Sequence, residues 1–327
     1  MDAAAPLLDV RGLSTHFFTD RGRVRAVEDV SFAVRPGEVV AIVGESGSGK
    51  SVTSLSLMGL IPNPPGRIVG GEILLEGQDL ARLRPRDLQA LRGDRIAMIF
   101  QDPMTSLDPV FRVEDQMVEA ILRHRDVGRA EARDMALAML ERVHIPDPAR
   151  RLSAYPFELS GGLRQRVMIA MALALKPQVL IADEPTTALD VTVQAQILRL
   201  LKELQAEFGM GIILITHDFG VVERMADRVV VMYAGRVVET ADIATIRAGA
   251  QHPYTRALLA SRPSLGQHEG LKAIPGLPPN LANPPPGCPF ANRCAEMVDA
   301  CWLELPALKP VGPAHLARCI RREAAHE

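Results

Sequence analysis

Gly44-Glu45-Ser46-Gly47-Ser48-Gly49-Lys50-Ser51 matches the pattern G-x-x-x-x-G-K-[ST] in full. The apolar run Val39-Val40-Ala41-Ile42-Val43 leads into it and a helical stretch from Ser51 to Leu60 follows. Strand, loop and helix in that order are the setting the pattern requires, and they argue against an ordinary glycine-rich turn. Glycines let successive backbone N–H groups converge on phosphate oxygens, and the helix start adds the positive end of its dipole. In such a loop Lys50 reaches the β and γ phosphates and Ser51 ligates Mg²⁺. Other apolar runs also end in chemically able residues. Val179 to Ala182 runs into Asp183, a partner for Mg²⁺, and Glu184, a carboxylate able to polarise a water for attack on the γ-phosphate. Ile212 to Ile215 leads to His217, placed to contact the γ-phosphate and keep Glu184 and the water in line. Ile96 to Phe100 leads to Gln101, whose amide can bind Mg²⁺ or the water. Alone, the Asp-Glu pair and the histidine would be surface or structural residues. Beside a phosphate loop they read as one site.

These residues need a sheet to carry them. Val39–Val43, Ile96–Phe100, Val179–Ala182 and Gly211–Ile215 read as buried parallel strands. Leu7–Val10, Ala26–Val34 and Gly71–Leu75 read as further strands, and Arg228–Tyr233 with Arg236–Glu239 as a closing hairpin. Residues 113–145, Leu163–Ala174 and Val193–Phe208 are helical in pattern. Strands alternating with helices imply an α/β fold with a mostly parallel sheet, whose ligands bind at the carboxyl ends of the strands. Of the 327 residues 47% are hydrophobic and only 4% aromatic, so the core is aliphatic. A net charge of -2 lacks the basic footprint of a nucleic-acid binder. No apolar run reaches the roughly 20 residues of a spanning helix. Met1 to Val10 has no basic region or long apolar run, so no secretory signal is expected and the chain is expected to stay in the cytosol. Past about residue 245 proline becomes frequent and all four cysteines follow residue 287, which sets a domain boundary near 245.

Leu159-Ser160-Gly161-Gly162-Leu163-Arg164-Gln165-Arg166 adds a second anion-binding helix start, with an ordinary helix cap at Ser160 as the plain alternative. This segment resembles the signature motif of the ABC ATPases, a P-loop NTPase family. Gln101 matches that family's Q-loop, Val179–Glu184 its Walker B strand and catalytic glutamate, Ala188-Leu189-Asp190 its D-loop and His217 its switch histidine, in family order and spacing. Phe17 lies where the family places an aromatic on adenine, with Phe18 adjacent. Leu163 departs from the usual glutamine, but Ser160, Gly161 and Gly162, the positions that would face phosphate, are intact. The resemblance covers about residues 7–245. It implies a mostly parallel sheet core, an antiparallel β subdomain and a helical subdomain over about 103–175 that docks a permease. It also implies head-to-tail pairs with two ATP molecules sandwiched between them, each held by the phosphate loop of one chain and the signature turn of the other.

Two stretches are similar to the dipeptide and oligopeptide importer ATPases: Gln101–Pro109, and His252-Pro253-Tyr254-Thr255-Arg256-Ala257-Leu258-Leu259 at the start of an extension over 246–327. His252 and Tyr254 read as packing of that extension rather than as catalytic groups. That resemblance implies two transmembrane permeases, a second and non-identical ATPase, an extracytoplasmic solute-binding protein, and a peripheral place on the cytoplasmic face of the inner membrane. Importers of nickel, glutathione or other small solutes share the subfamily. A soluble ABC protein acting on ribosomes or DNA is a further alternative, disfavoured by the single set of motifs and the balanced charge. Cys288, Cys294, Cys301 and Cys319 are spaced too widely for zinc-ribbon pairs. They resemble the cysteine-containing tail of the importer family, where an iron–sulfur cluster is associated with some members. A [4Fe–4S] cluster, Zn²⁺ and four free thiols all remain open for them.

Overall fold

The computed structural model describes residues 5–20, 22–101, 106–187, 189–261 and 273–322. Asp102, Pro103, Met104 and Thr105 of the segment after Gln101, and Ala188 of the Ala188-Leu189-Asp190 turn, lie outside the described residues. The chain forms two compact units, one of Met1–Leu7, Arg35–Glu38 and Arg82–Ile213, the other of Leu8–Val34, Val39–Ala81 and Leu214–Glu327. The division falls inside the fully buried strand Gly211–Thr216.

In the first unit Ile96–Ile99 and Val179–Asp183 are parallel neighbours, with Ile96 opposite Val179 and Ile99 opposite Ala182. Every residue of Val179–Asp183 is buried, as a continuous aliphatic run requires when both faces of a sheet are covered. The helical pattern over 113–145 proves to be two helices, Val113–Leu122 and Arg129–Arg142. The chain breaks between them where Arg125 reaches the Asp94 carboxylate (2.6 Å) and the Leu175 carbonyl (3.2 Å). Val113, Met117, Val118 and Ile121 of one helix, and Ala132, Ala136, Met139 and Leu140 of the other, form buried stripes at helical spacing. Gly161–Leu173 and Val191–Phe208 each begin two residues before the apolar pattern does, because a side-chain cap starts them. Ser160 Oγ accepts from Leu163 N (3.4 Å) and Asp190 Oδ1 from Val193 N (2.9 Å).

In the second unit Leu8–Thr19 is the middle of an antiparallel sheet, between Gly22–Val34 and Gly66–Leu75. These strands run longer than their alternation suggests. Register shifts around Leu13 and Thr15 interrupt the period of two by which a strand is read. Val39–Val43 pairs in parallel with Arg228–Tyr233, which turns back on Arg236–Asp242 as the expected hairpin. The region past 245 is more regular than its proline content suggests. Helices Ile243–Gly249 and Pro253–Ala260 are followed by strand His315–Ala317, which pairs with Arg236–Asp242, and Lys309–Gly312 pairs with His315–Ala317. Among the described residues no helix is long and apolar enough to cross a membrane.

Candidate functional site

The buried strand Val39–Val43 delivers Gly44–Gly49 to the start of helix Lys50–Leu57. Two glycines are obligatory for steric reasons. At Gly44 a Cβ would stand 2.2 Å from the Met232 carbonyl oxygen. Gly49, at φ +104, would bring a Cβ to 2.6 Å from the Ala26 carbonyl oxygen. Glu45 is half-buried, Ser46, Gly47 and Ser51 are exposed, and Ser48 and Lys50 are buried. Lys50 Nζ donates to the carbonyls of Gly44 (2.8 Å) and Glu45 (3.0 Å), which keeps its ammonium inside the curl of the loop. Ser48 Oγ is buried with no hydrogen-bond partner. A buried, unpartnered hydroxyl just before a helix start fits a loop shaped around phosphate oxygens. On the same unit Phe17 is half-buried with its ring against Gly66, where a Cβ would lie 2.7 Å from it. Phe18, on the opposite face of the strand, is exposed under the Arg67 guanidinium, 4.3 Å from the ring centroid. His217, just past Gly211–Thr216, is exposed, and Asp218 caps the next helix by accepting from Gly220 N at 2.7 Å.

The first unit brings Gln101 and Glu184 together. Strand Val179–Asp183 buries Asp183 at its last position. Glu184 then takes a left-handed conformation, φ +46, uncommon for a residue with a side chain. That turn aims its carboxylate sideways, where Oε2 accepts from Gln101 Nε2 (3.1 Å) and Thr187 Oγ1 (2.8 Å). Thr187 is a partner the sequence did not single out. Ser160 and Gly161 are exposed at the start of Gly161–Leu173, and Gly162 faces Val193, where a Cβ would approach to 3.0 Å.

The four cysteines, spread over 32 positions of the sequence, line one small cavity in the second unit together with His252 and Glu296. Burial pushes the Cys288 thiol up to about 11 and raises that of Cys294. The donor chemistry suits a soft metal, four thiols on one cavity. The room does not: the cavity measures about 10 Å³, space for one water. No three His, Cys, Asp or Glu side chains among the described residues form a metal-holding group.

A phosphate loop opening a helix, and a buried strand ending in a carboxylate pair, define a nucleotide-hydrolysing P-loop protein. Comparisons with known proteins narrow the class. Residues 27–187 match the family described as ABC transporter, and 238–301 that described as oligopeptide/dipeptide transporter, C-terminal region. The chain is 52% identical to the probable peptide ABC transporter ATP-binding protein y4tR of Sinorhizobium fredii, over 96% of this chain and 95% of that protein. It is 51% identical to the oligopeptide transport ATP-binding protein OppD of Bacillus subtilis, over 95% of this chain and 88% of that protein. Among solved structures, the dimeric bacterial ABC transporter cassette MJ0796 superposes with a TM-score of 0.64 at 28% identity, covering 72% of this chain and 98% of that one. A post-hydrolysis state of MJ0796 bound to ADP and Pi gives the same TM-score, 0.64. The chain belongs to the ABC transporter family, in the branch that carries the oligopeptide/dipeptide transporter C-terminal region.

Proposed function

We propose that this chain is the ATP-hydrolysing subunit of an ABC importer that takes up di- and oligopeptides. The observation that carries the reading is an intact phosphate loop and carboxylate pair in a chain 52% identical, across 96% of its length, to a probable peptide transporter ATPase. The backbone N–H groups of Gly44–Ser51 and the ammonium of Lys50 bind the β and γ phosphates. Ser51, Gln101 and Asp183 would hold Mg²⁺, which would supply positive charge to neutralise the phosphate oxygens. Glu184 takes a proton from the attacking water, and the Gln101 amide on its Oε2 fixes the carboxylate's orientation. His217 holds the γ-phosphate side of that line, and Phe17 supports the adenine.

Ser160, Gly161 and Gly162 serve the ATP of a second nucleotide domain in a head-to-tail pair. The exposure of Ser160 and Gly161 at a helix start, and the dimeric form of the MJ0796 cassette, support this reading. The second ATPase is a non-identical chain. Residues 7–245 form the nucleotide domain, with about 103–175 docking the permease, and 246–327 form the extension. The working complex adds two permeases and an extracytoplasmic solute-binding protein, with this chain peripheral on the cytoplasmic face of the plasma membrane. A [4Fe–4S] cluster at the four cysteines would require the thiols to part, since the cavity has room for one water; their convergence on that cavity is what supports it.

The test is a tagged pull-down from detergent-solubilised membranes with mass-spectrometric identification. Two polytopic permeases and a second, different ATPase are expected. Recovery with ribosomes or DNA-repair proteins instead would remove the transport role and leave the ATPase chemistry standing.

A further inference from the structure

Glu45, the second residue of the phosphate loop, is held at three points. Its carboxylate takes a parallel pair of bonds from Arg293, Nη1 to Oε2 at 2.6 Å and Nη2 to Oε1 at 2.9 Å. Its N–H donates to the Tyr254 hydroxyl at 2.8 Å. Its carbonyl accepts from Lys50 Nζ at 3.0 Å. Two of the three holds come from the C-terminal extension, 209 and 248 residues along the chain.

The clamp is rigid. The Arg293 side chain is only 3% exposed, and its remaining N–H groups are spent on Tyr233 Oη (3.2 Å) and the carbonyls of Pro275 (2.9 Å) and Ile274 (3.2 Å). Tyr254, Tyr233 and Phe290 pack ring against ring, with centroids 4.6 to 5.4 Å apart. Arg293 directly precedes Cys294, so the cysteine-bearing segment itself makes the clamp. A bidentate pair with its arginine buried and its glutamate half-buried is costly to desolvate and serves orientation more than stability. Here it also answers an electrostatic problem. A glutamate inside a loop built for a polyanion repels that polyanion unless a cation neutralises it.

We propose that Arg293 and Tyr254 are positioning residues for nucleotide binding. They fix Glu45 so that the loop is preformed, its carboxylate is neutralised, and Lys50 exchanges the Glu45 carbonyl for phosphate oxygens. The inference rests on the ATPase reading above, and it gives the extension a function at the nucleotide.

The experiment titrates MgATP into the full-length chain and follows its hydrolysis, for wild type, Tyr254→Phe, Arg293→Met, Arg293→Lys, Glu45→Gln and the double variant Glu45→Gln/Arg293→Met. Tyr254→Phe removes one hydroxyl and is expected to weaken MgATP binding about three- to tenfold, with the fold retained and a modest fall in melting temperature. In it KM for ATP rises while kcat at saturation holds. Arg293→Met is expected to weaken binding further, and Arg293→Lys to recover part, since an ammonium restores the charge but not the fork. Glu45→Gln added to Arg293→Met is expected to regain affinity because it removes the unpaired carboxylate. Wild-type affinity in both Tyr254→Phe and Arg293→Lys, or no recovery in the double variant, overturns the inference. Should Arg293→Met fail to fold, Tyr254→Phe and Arg293→Lys decide between the same two results. A wild-type chain that does not bind MgATP refutes the ATPase reading itself, a separate and distinguishable failure.

Discussion

Glu184 combines a chemical demand with a backbone cost. A left-handed non-glycine residue costs on the order of 1–2 kcal/mol, and this one directly follows a strand buried at every position. What the strain accomplishes is direction. The carboxylate leaves the strand line and meets Gln101 and Thr187, two neutral donors that orient it. Glu184→Gln keeps the shape and abolishes proton acceptance. Hydrolysis is expected to fall about 10²- to 10⁴-fold with MgATP binding retained, read by phosphate release beside a nucleotide titration. Undiminished hydrolysis in that variant removes the role given to this residue. The sequence made Glu184 and Gln101 legible because each ends an apolar run. Thr187 was not, since a threonine after a carboxylate pair has no pattern of its own.

Capping decides where the elements start. Asp242 ends one strand and opens helix Ile243–Gly249, with Oδ1 accepting from Thr245 N (2.7 Å) and Oδ2 from Thr245 Oγ1 (2.8 Å). The backbone bond from Thr245 is the chief reason its carboxyl lies below the usual range. A carboxylate with a depressed folded pKa adds stability above its unfolded value and loses it as pH falls through the folded one. Removing the cap with Asp242→Ala is expected to cost roughly 1 kcal/mol at neutral pH. The gap to wild type should close in acid, as measured by the melting temperatures of both proteins across that range. A gap that stays constant into acid would mean the carboxylate is not the cap. Caps also explain the small errors in reading helix starts, because Ser160 and Asp190 stand outside the apolar pattern that marks their helices.

For the whole molecule, the extension is bound to the rest of its unit by buried polar contacts. Glu239, fully buried, accepts from Gln251 N (2.5 Å), His252 N (2.9 Å) and His315 Nε2 (2.7 Å). His252 is itself held neutral, its pKa lowered to about 3 chiefly by burial. If the cysteine cavity opens to take a cluster, anaerobically purified protein is expected to contain iron and acid-labile sulfide with charge-transfer absorbance. Cys→Ser at Cys288 or Cys301 should lower all three together. Iron-free, colourless anaerobic protein would leave four packed thiols. By itself the sequence determined the phosphate loop, the carboxylate pair, the order of buried strands and the α/β class. Each of these is written in neighbouring residues, as a fixed spacing or a run long enough to impose its period. Only the tertiary structure decided what depends on contacts between distant segments: the break in the 113–145 helix at Arg125 and Asp94, the two strands of the extension, the meeting of four cysteines, and the hold of Arg293 and Tyr254 on Glu45. A single arginine or tyrosine carries no spacing that names a partner 248 or 209 residues away, so its role appears only once folding has closed that distance.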